Sequence, residues 1–175
     1  DGVGEKLIDS LIDNSLVQKY SDLFKLSYSD LENLERMADK SINNILESIN
    51  NAKNTRFSRF LNGLGIRNVG THACNLLERR FDGDINRLAS ASEDDLNNIH
   101  EIGEIMASCI VGYFANQSNL DDINECINLG VTFKKNEVSN EFKDLSFVIT
   151  GSFENMSRAD IKKKLEGFGA RVALA

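Results

Sequence analysis

The sequence predicts a mainly α-helical chain: a tandem of units, each built as helix, hairpin, helix, followed by a short α/β module. Three observations carry this expectation. Small triplets with an apolar middle residue recur at a nearly constant spacing, and each triplet runs into an amphipathic stretch. Near residue 145 the pattern changes to a β-rich run and then a charged amphipathic stretch closed by glycine. A recurring period of this length marks stacked supersecondary units rather than one irregular domain.

The triplets are Gly2-Val3-Gly4, Arg36-Met37-Ala38, Asn68-Val69-Gly70 and Glu101-Ile102-Gly103, with third positions 34, 32 and 33 residues apart. The stretches that follow are "EKLIDSLI", "DKSINNILESI", "THACNLLERRF" and "EIMASCIVGYF". In the second of them Ile42, Ile45, Leu46 and Ile49 keep the spacing of one buried helix face. The segments ahead of the hairpins also read as helices. "SYSDLENLERM" offers Ser29 and Glu32 as a capping box, and "SASEDDLNNIHEI" offers Ser92 and Asp95 as a weaker one. "TRFSRFLNGLGI" sets Phe57, Phe60, Leu61 and Leu64 on one face. The expected organisation is therefore an all-α tandem over 1–133, a linker at 134–141 within the polar stretch "TFKKNEVSNEFKD", and an α/β module from 142 to 175. That module opens with a strand from Ser146 to Thr150, continues with a helix from Ser157 to Gly167, and enters a second strand from Ala170.

Composition narrows the function classes. The net charge of −7 argues against a polycation that coats nucleic acid indiscriminately. The charge is nevertheless unevenly spread. Residues 53–81 hold six Lys/Arg against one Glu, namely Lys53, Arg56, Arg59, Arg67, Arg79 and Arg80 against Glu78, whereas 82–104 hold one Arg against seven Asp/Glu. Cys74, Cys109 and Cys126 form no C-x-x-C pair, which fits neither a disulfide framework nor a zinc module and suits a reducing, cytoplasmic setting. No apolar run approaches the length of a membrane span, so no membrane partner is expected. A start at Asp1 and an end within strand-like sequence predict a piece of a longer polypeptide.

The hairpins carry the chemistry. Glycine on either side of the apolar residue serves positive φ or a close backbone approach, and Asn68 is the next best tolerated residue for a left-handed conformation. Each hairpin opens onto a helix N-terminus, whose unpaired N–H groups and positive dipole end favour a phosphate. The candidate contacts are Gly2, Val3, Gly4, Lys6, Lys40, Arg67, Asn68, Val69, Gly70, Thr71, Ile102 and Gly103. Arg67 lies inside its hairpin, Lys6 and Lys40 enter their helices at equivalent positions, and Thr71 is a candidate N-cap or phosphate donor. Units 1 and 3 are expected to make the closest approach. Unit 2, with Arg36 and Ala38 for glycines, and unit 4, with Glu101 and Glu104 at its flanks, are expected to make poorer ones. His72 and His100 have no matching ligands and read as surface residues. "RFDG", from Arg80 to Gly83, mimics the adenylation motif K-x-D-G, but a guanidinium is no neutral nucleophile; it reads as a helix end.

The run "DGVGEKLIDSLIDNSLV…DLENLERMADKSINNILESI…FLNGLGIRNVGTHACNLL…IHEIGEIMASCIVGYF…INLGV" resembles the four-fold helix-hairpin-helix domain of bacterial NAD-dependent DNA ligase. "FKDLSFVITGSFENMSRADIKKKLEGFGARV" is similar to the start of the BRCT domain that follows in that family. The resemblance implies a non-catalytic part that grips the phosphate backbone of nicked duplex DNA across the minor groove, without sequence preference. It further implies DNA replication and repair as the setting, protein partners for the BRCT-like part, and NAD, Mg²⁺ and Zn²⁺ for the full-length family but no cofactor here. The K-x-D-G motif, nucleotide-binding domain, OB domain and four-cysteine zinc module of that family are not in this sequence. Two alternatives stand beside it: a helix-hairpin-helix module of another DNA repair factor, and an acidic protein-interaction module that binds no DNA.

Overall fold

The computed structural model describes residues 3–35, 37–134, 142, 145–151, 153 and 156–174. The chain divides into two compact units, Asp1–Lys135 and Asn136–Ala175.

In the first unit the helices are α1 (Glu5–Asp13), α2 (Tyr20–Leu23), α3 (Tyr28–Glu32) and α4 (Asp39–Ala52), then strand β1 (Asn54–Arg56). They continue as α5 (Phe57–Gly63), α6 (Thr71–Phe81), α7 (Ile85–Ala89), α8 (Glu93–Asn97), α9 (Glu104–Ala115) and α10 (Gln117–Asn128), then strand β2 (Thr132–Lys134). The helices that follow the hairpins, α1, α4, α6 and α9, run long enough to present a continuous apolar face. Ile42, Ile45 and Ile49 of α4 are buried at that spacing, with Leu46 half-buried beside them.

Two hydrophobic clusters result, each uniting two hairpin units. The first gathers Leu11, Val17, Leu31, Leu34, Ile42, Ile45 and Ile49, with Val3 and Met37 packed against it. The second is built around Phe57, Leu61, Cys74, Leu77, Leu96 and Ile110. Pairing is what makes such short helices stable, since a single helix-hairpin-helix cannot bury both its faces. Polar contacts tie the halves together. The Asp122 carboxylate of α10 accepts the backbone N–H groups of Tyr20 and Ser21 at 2.9 and 3.0 Å, closing the start of α2. The Tyr20 hydroxyl donates to the Leu64 carbonyl at 3.1 Å, and Lys25 meets Glu125 at 3.1 Å.

The structure corrects three expectations. The first unit is not wholly helical: β1 and β2 pair in parallel, Asn54 with Thr132 and Arg56 with Lys134. Thr132–Lys134 therefore forms a strand rather than the beginning of a polar linker. Phe133 explains this, because its ring packs edge-on against Phe57 at 5.1 Å between centroids and buries the end of the segment. Finally, α3 is closed by Ser27 and Asp30 rather than by Ser29 and Glu32. The Asp30 carboxylate accepts from the Ser27 N–H at 2.8 Å and from its hydroxyl at 2.6 Å, and these bonds hold the carboxyl below its usual range. The Ser92–Asp95 box forms as the sequence predicts, at 3.0 and 3.1 Å.

In the second unit β3 (Ser146–Ile149), α11 (Arg158–Gly167) and β4 (Arg171–Leu174) make a β-α-β arrangement with β3 and β4 parallel. Phe142 packs on Phe147 and Phe168, with centroids 5.5 and 5.4 Å away. Ser157 caps α11, its hydroxyl accepting the Asp160 N–H at 3.1 Å. The expected linker falls almost wholly on 135–141, outside the described residues.

Glu78 of α6 is the sole carboxylate of the basic block and is buried, 4% exposed. Arg56 donates to it at 2.8 Å. Burial would raise its pKa, but hydrogen bonds from Ser58 and Arg56, and the Arg56 charge, outweigh burial and hold the carboxyl below its usual range. A depressed folded-state value means that the stabilisation is complete above the unfolded glutamate pKa and disappears as pH falls through the folded one. Glu78→Gln is expected to cost about 1–2 kcal/mol at neutral pH. In urea denaturation the gap between variant and parent should close as the pH drops toward about 3.

Candidate nucleic-acid interface

The third hairpin shows how the local sequence builds the surface. α5 ends at Gly63 with Leu64 as its C-cap, and Gly65 turns the chain at φ +63°. Ile66 is buried and Arg67 is exposed. Asn68 then takes a left-handed conformation at φ +63°, which turns Val69 inward to 8% exposure. Gly70 follows in extended conformation, φ −88° and ψ 179°, as the N-cap of α6. The fourth hairpin repeats this: Glu101 at φ +73°, Ile102 buried, Gly103 at φ −93° and ψ 172°. Equivalent hydrogen bonds close both turns, Val69 N–H to Ile66 O and Ile102 N–H to Ile99 O, each 3.0 Å. Gly4 and Ala38 have the same extended backbone at the N-caps of α1 and α4.

This geometry refines the role expected of the glycines. In units 3 and 4 the left-handed residue is the first of the triplet. The third residue is extended, a conformation open to any amino acid, and Ala38 adopts it. Glycine at the third position instead leaves empty space: a Cβ built on Gly4, Gly70 or Gly103 would meet nothing within 4 Å. The surface in front of the helix start is therefore clear for close approach. Gly2 and Arg36 lie outside the described residues.

Capping separates two classes of helix. The starts of α7, α8, α10 and α11 are closed by their own side chains, Asp84, Ser92, Asn116 and Ser157. Asp122 closes α2 and the Ser27–Asp30 pair closes α3, while the short α5 starts without a side-chain cap. The four helices that follow hairpins, α1, α4, α6 and α9, start without a side-chain cap. Their leading N–H groups and positive dipole ends face solvent, the arrangement that receives an oxyanion.

The side chains around these ends differ. Lys6, Lys40 and Arg67 are exposed. Thr71 is the first residue of α6 and not its cap; its hydroxyl lies 3.3 Å from the Asn62 amide oxygen. Hairpins 3 and 4 lie together, with the Asn68 amide 3.4 Å from the Cys109 sulfur. Sequence reasoning missed one contact between them. Glu101 reaches His72 Nε2 at 2.9 Å and His100 Nδ1 at 3.4 Å, so its carboxylate is turned toward imidazoles. The signal was Glu101 occupying the repeat position of Asn68. Elsewhere in the basic block Arg56 is held by Glu78, and the Arg80 guanidinium lies 5.8 Å from the Phe81 ring centre. "RFDG" proves to be the end of α6, where Asp82 and Gly83 turn at φ +55° and +70°.

Among the described residues no group of three or more His, Cys, Asp or Glu could hold a metal ion. Cys74 and Cys126 are buried, and burial pushes both thiols up, Cys126 to about 11. No helix among the described residues is long and apolar enough to cross a membrane.

Residues 59–123 match the helix-hairpin-helix motif family, and residues 137–174 match the BRCA1 C Terminus (BRCT) domain family. Curated relatives include a DNA ligase of Bacillus pumilus, 39% identical over 99% of this chain and 27% of the relative. A DNA ligase of Anoxybacillus flavithermus is 38% identical over 98% of the chain and 26% of the relative. One of Desulfosudis oleivorans is 37% identical, again over 98% and 26%. The chain thus spans about a quarter of the length of the relatives it matches.

Two substitutions separate the backbone roles. Gly70→Ala is expected to leave thermal stability within about 0.5 kcal/mol, because its φ and the open space accept a methyl group. Asn68→Val is expected to cost about 1–2 kcal/mol, since a β-branched residue is strained at positive φ.

Proposed function

We propose that the chain is the helix-hairpin-helix and BRCT portion of a DNA ligase, on its likeness to curated ligases and the two matched segments, and that its first unit holds the sugar-phosphate backbone of duplex DNA around a nick. The observation that carries this is the set of four helices with no side-chain cap, three of which open behind a glycine that leaves room for an incoming group. Gly4, Gly70 and Gly103 admit the phosphate, Val69 and Ile102 anchor the hairpins, and Lys6, Lys40, Arg67 and Thr71 add charge or donors at the rim. Asn68 makes the left-handed turn ahead of the α6 cap, Val3 packs against the first cluster ahead of α1, and Gly2 is a contact proposed from the sequence alone. Contacts of this kind position a protein on DNA but do not read sequence.

In this reading the hairpin domain occupies 1–133 and the BRCT-like part begins near 142, free to engage protein partners. The chemistry of sealing, in DNA replication and repair in the cytoplasm, belongs to other parts of a longer, NAD-dependent ligase. NAD, Mg²⁺ and Zn²⁺ would serve there. Zinc needs converging thiolates or imidazoles, and among the described residues no group of three or more His, Cys, Asp or Glu is placed to hold a metal ion.

A second reading, an acidic module that binds protein and no DNA, is favoured by the net charge of −7. Fluorescence anisotropy of a labelled nicked duplex separates the two. The first reading expects binding that weakens by orders of magnitude between about 50 and about 200 mM salt. Arg67→Glu should weaken it at least tenfold, by placing a negative charge where a cation faced phosphate. Absence of binding at the lower salt would favour the acidic module.

A further inference from the structure

The equal register of the four helix starts allows their side chains to be compared position by position. The second residue of each is Lys6, Lys40, His72 and Ile105. All four are exposed, and three are basic or able to become so. Ile105 departs from them. It is 74% exposed, the most exposed large apolar side chain among the described residues. It stands on a shallow depression formed with Asn68, Gly103, Glu104 and Met106, at the junction of hairpins 3 and 4. Core packing does not explain it, because the buried positions of α9 are Ala107, Ile110 and Phe114.

The charges around it indicate what it faces. Acidic residues open three of the starts, Glu5 for α1, Asp39 for α4 and Glu104 for α9, so what sets the fourth apart is the missing cation at its second position and not its carboxylate. The Glu101 carboxylate, in the hairpin ahead of α9, is engaged by His72 and His100. A DNA surface that meets the other three starts through phosphate must therefore meet this one through a less charged part. The minor groove offers such a part: the apolar faces of deoxyribose and the gaps between base steps, where Ile, Leu, Met and Phe side chains insert in other minor-groove proteins.

We propose that Ile105, supported by Met106, packs against the sugar edge of the minor groove between the phosphates held by the neighbouring hairpins. This rests on the DNA-binding reading above and assigns the fourth hairpin an apolar contact in place of an ionic one. The cationic or imidazole side chains at the equivalent positions, Lys6, Lys40 and His72, favour DNA over a protein partner as the occupant.

The test is anisotropy of the whole chain with a nicked duplex across a salt series, for the parent and for Ile105→Ala, Ile105→Leu and Ile105→Lys. Thermal melting serves as the folding control. Ile105→Ala should weaken binding about fivefold to twentyfold, the range expected for losing most of one buried aliphatic side chain. The slope of log K against log salt should not change, since no phosphate contact is lost. Ile105→Leu should stay within about twofold of the parent, and Ile105→Lys should not bind more tightly than the parent. Unchanged affinity in Ile105→Ala overturns the proposal and leaves the DNA-binding reading standing. So does an Ile105→Lys that binds more tightly with a slope steeper by about one, which would place a phosphate there. A parent chain that binds no DNA at low salt overturns the reading itself and the proposal with it.

Discussion

Everything on the candidate surface depends on burying the apolar middle residue of each hairpin. Val69 and Ile102 can reach the core only if the residue before them adopts positive φ, and Asn68 and Glu101 do so. Behind the buried residue the third position is extended and starts a helix at once, and in units 3 and 4 that position is a glycine, which has no side chain to cap it. The hydrophobic effect thus fixes a polar result. Burial of one aliphatic side chain, about 1.5–3 kcal/mol, is large enough to hold a left-handed glutamate in place.

The same economy recurs in how the two clusters are joined. One polar link is a carboxylate that closes a helix start inside the fold, Asp122 for α2, and a second acid, Glu78, is buried against Arg56. Acidic residues therefore do part of their work internally, which reconciles a net charge of −7 with a surface suited to phosphate. Local charge decides what approaches a surface over a Debye length of about 10 Å, and the block at 53–81 is basic. Unit 4 carries Glu101 and Glu104 in the same geometry, so the repeat supplies a common backbone and the side chains set what each copy does with it.

Much of this was legible in the sequence. The period of the triplets, the apolar faces of α4, α5 and α6, the Ser92 cap and the β-α-β pattern of the second unit all arise from local spacing. Other features needed tertiary information. Strands β1 and β2 are three residues each and pair Asn54 with Thr132, a contact no local period encodes. Ser27 and Ser29 each have an acid three residues on, and only the point where α3 starts chooses between them. Short helices such as α2 and α7 lack the length for a periodic signal. Sequence does not say which flank of the triplet turns left-handed and which merely needs open space: the left-handed residues are Asn68 and Glu101, while Gly4, Gly70 and Gly103 are extended.

The central claim is that backbone amides at the helix starts behind the hairpins receive the DNA. Amide ¹H–¹⁵N spectra of the chain, recorded with and without a nicked duplex, test it most directly. The account expects the largest shifts at Glu5, Lys6, Thr71 and His72, with small ones at Asn86, Arg87 and Asp95, whose N–H groups are already held by Asp84 and Ser92. Shifts that spare the hairpin helices and gather on the capped starts of α7 and α8 would contradict it.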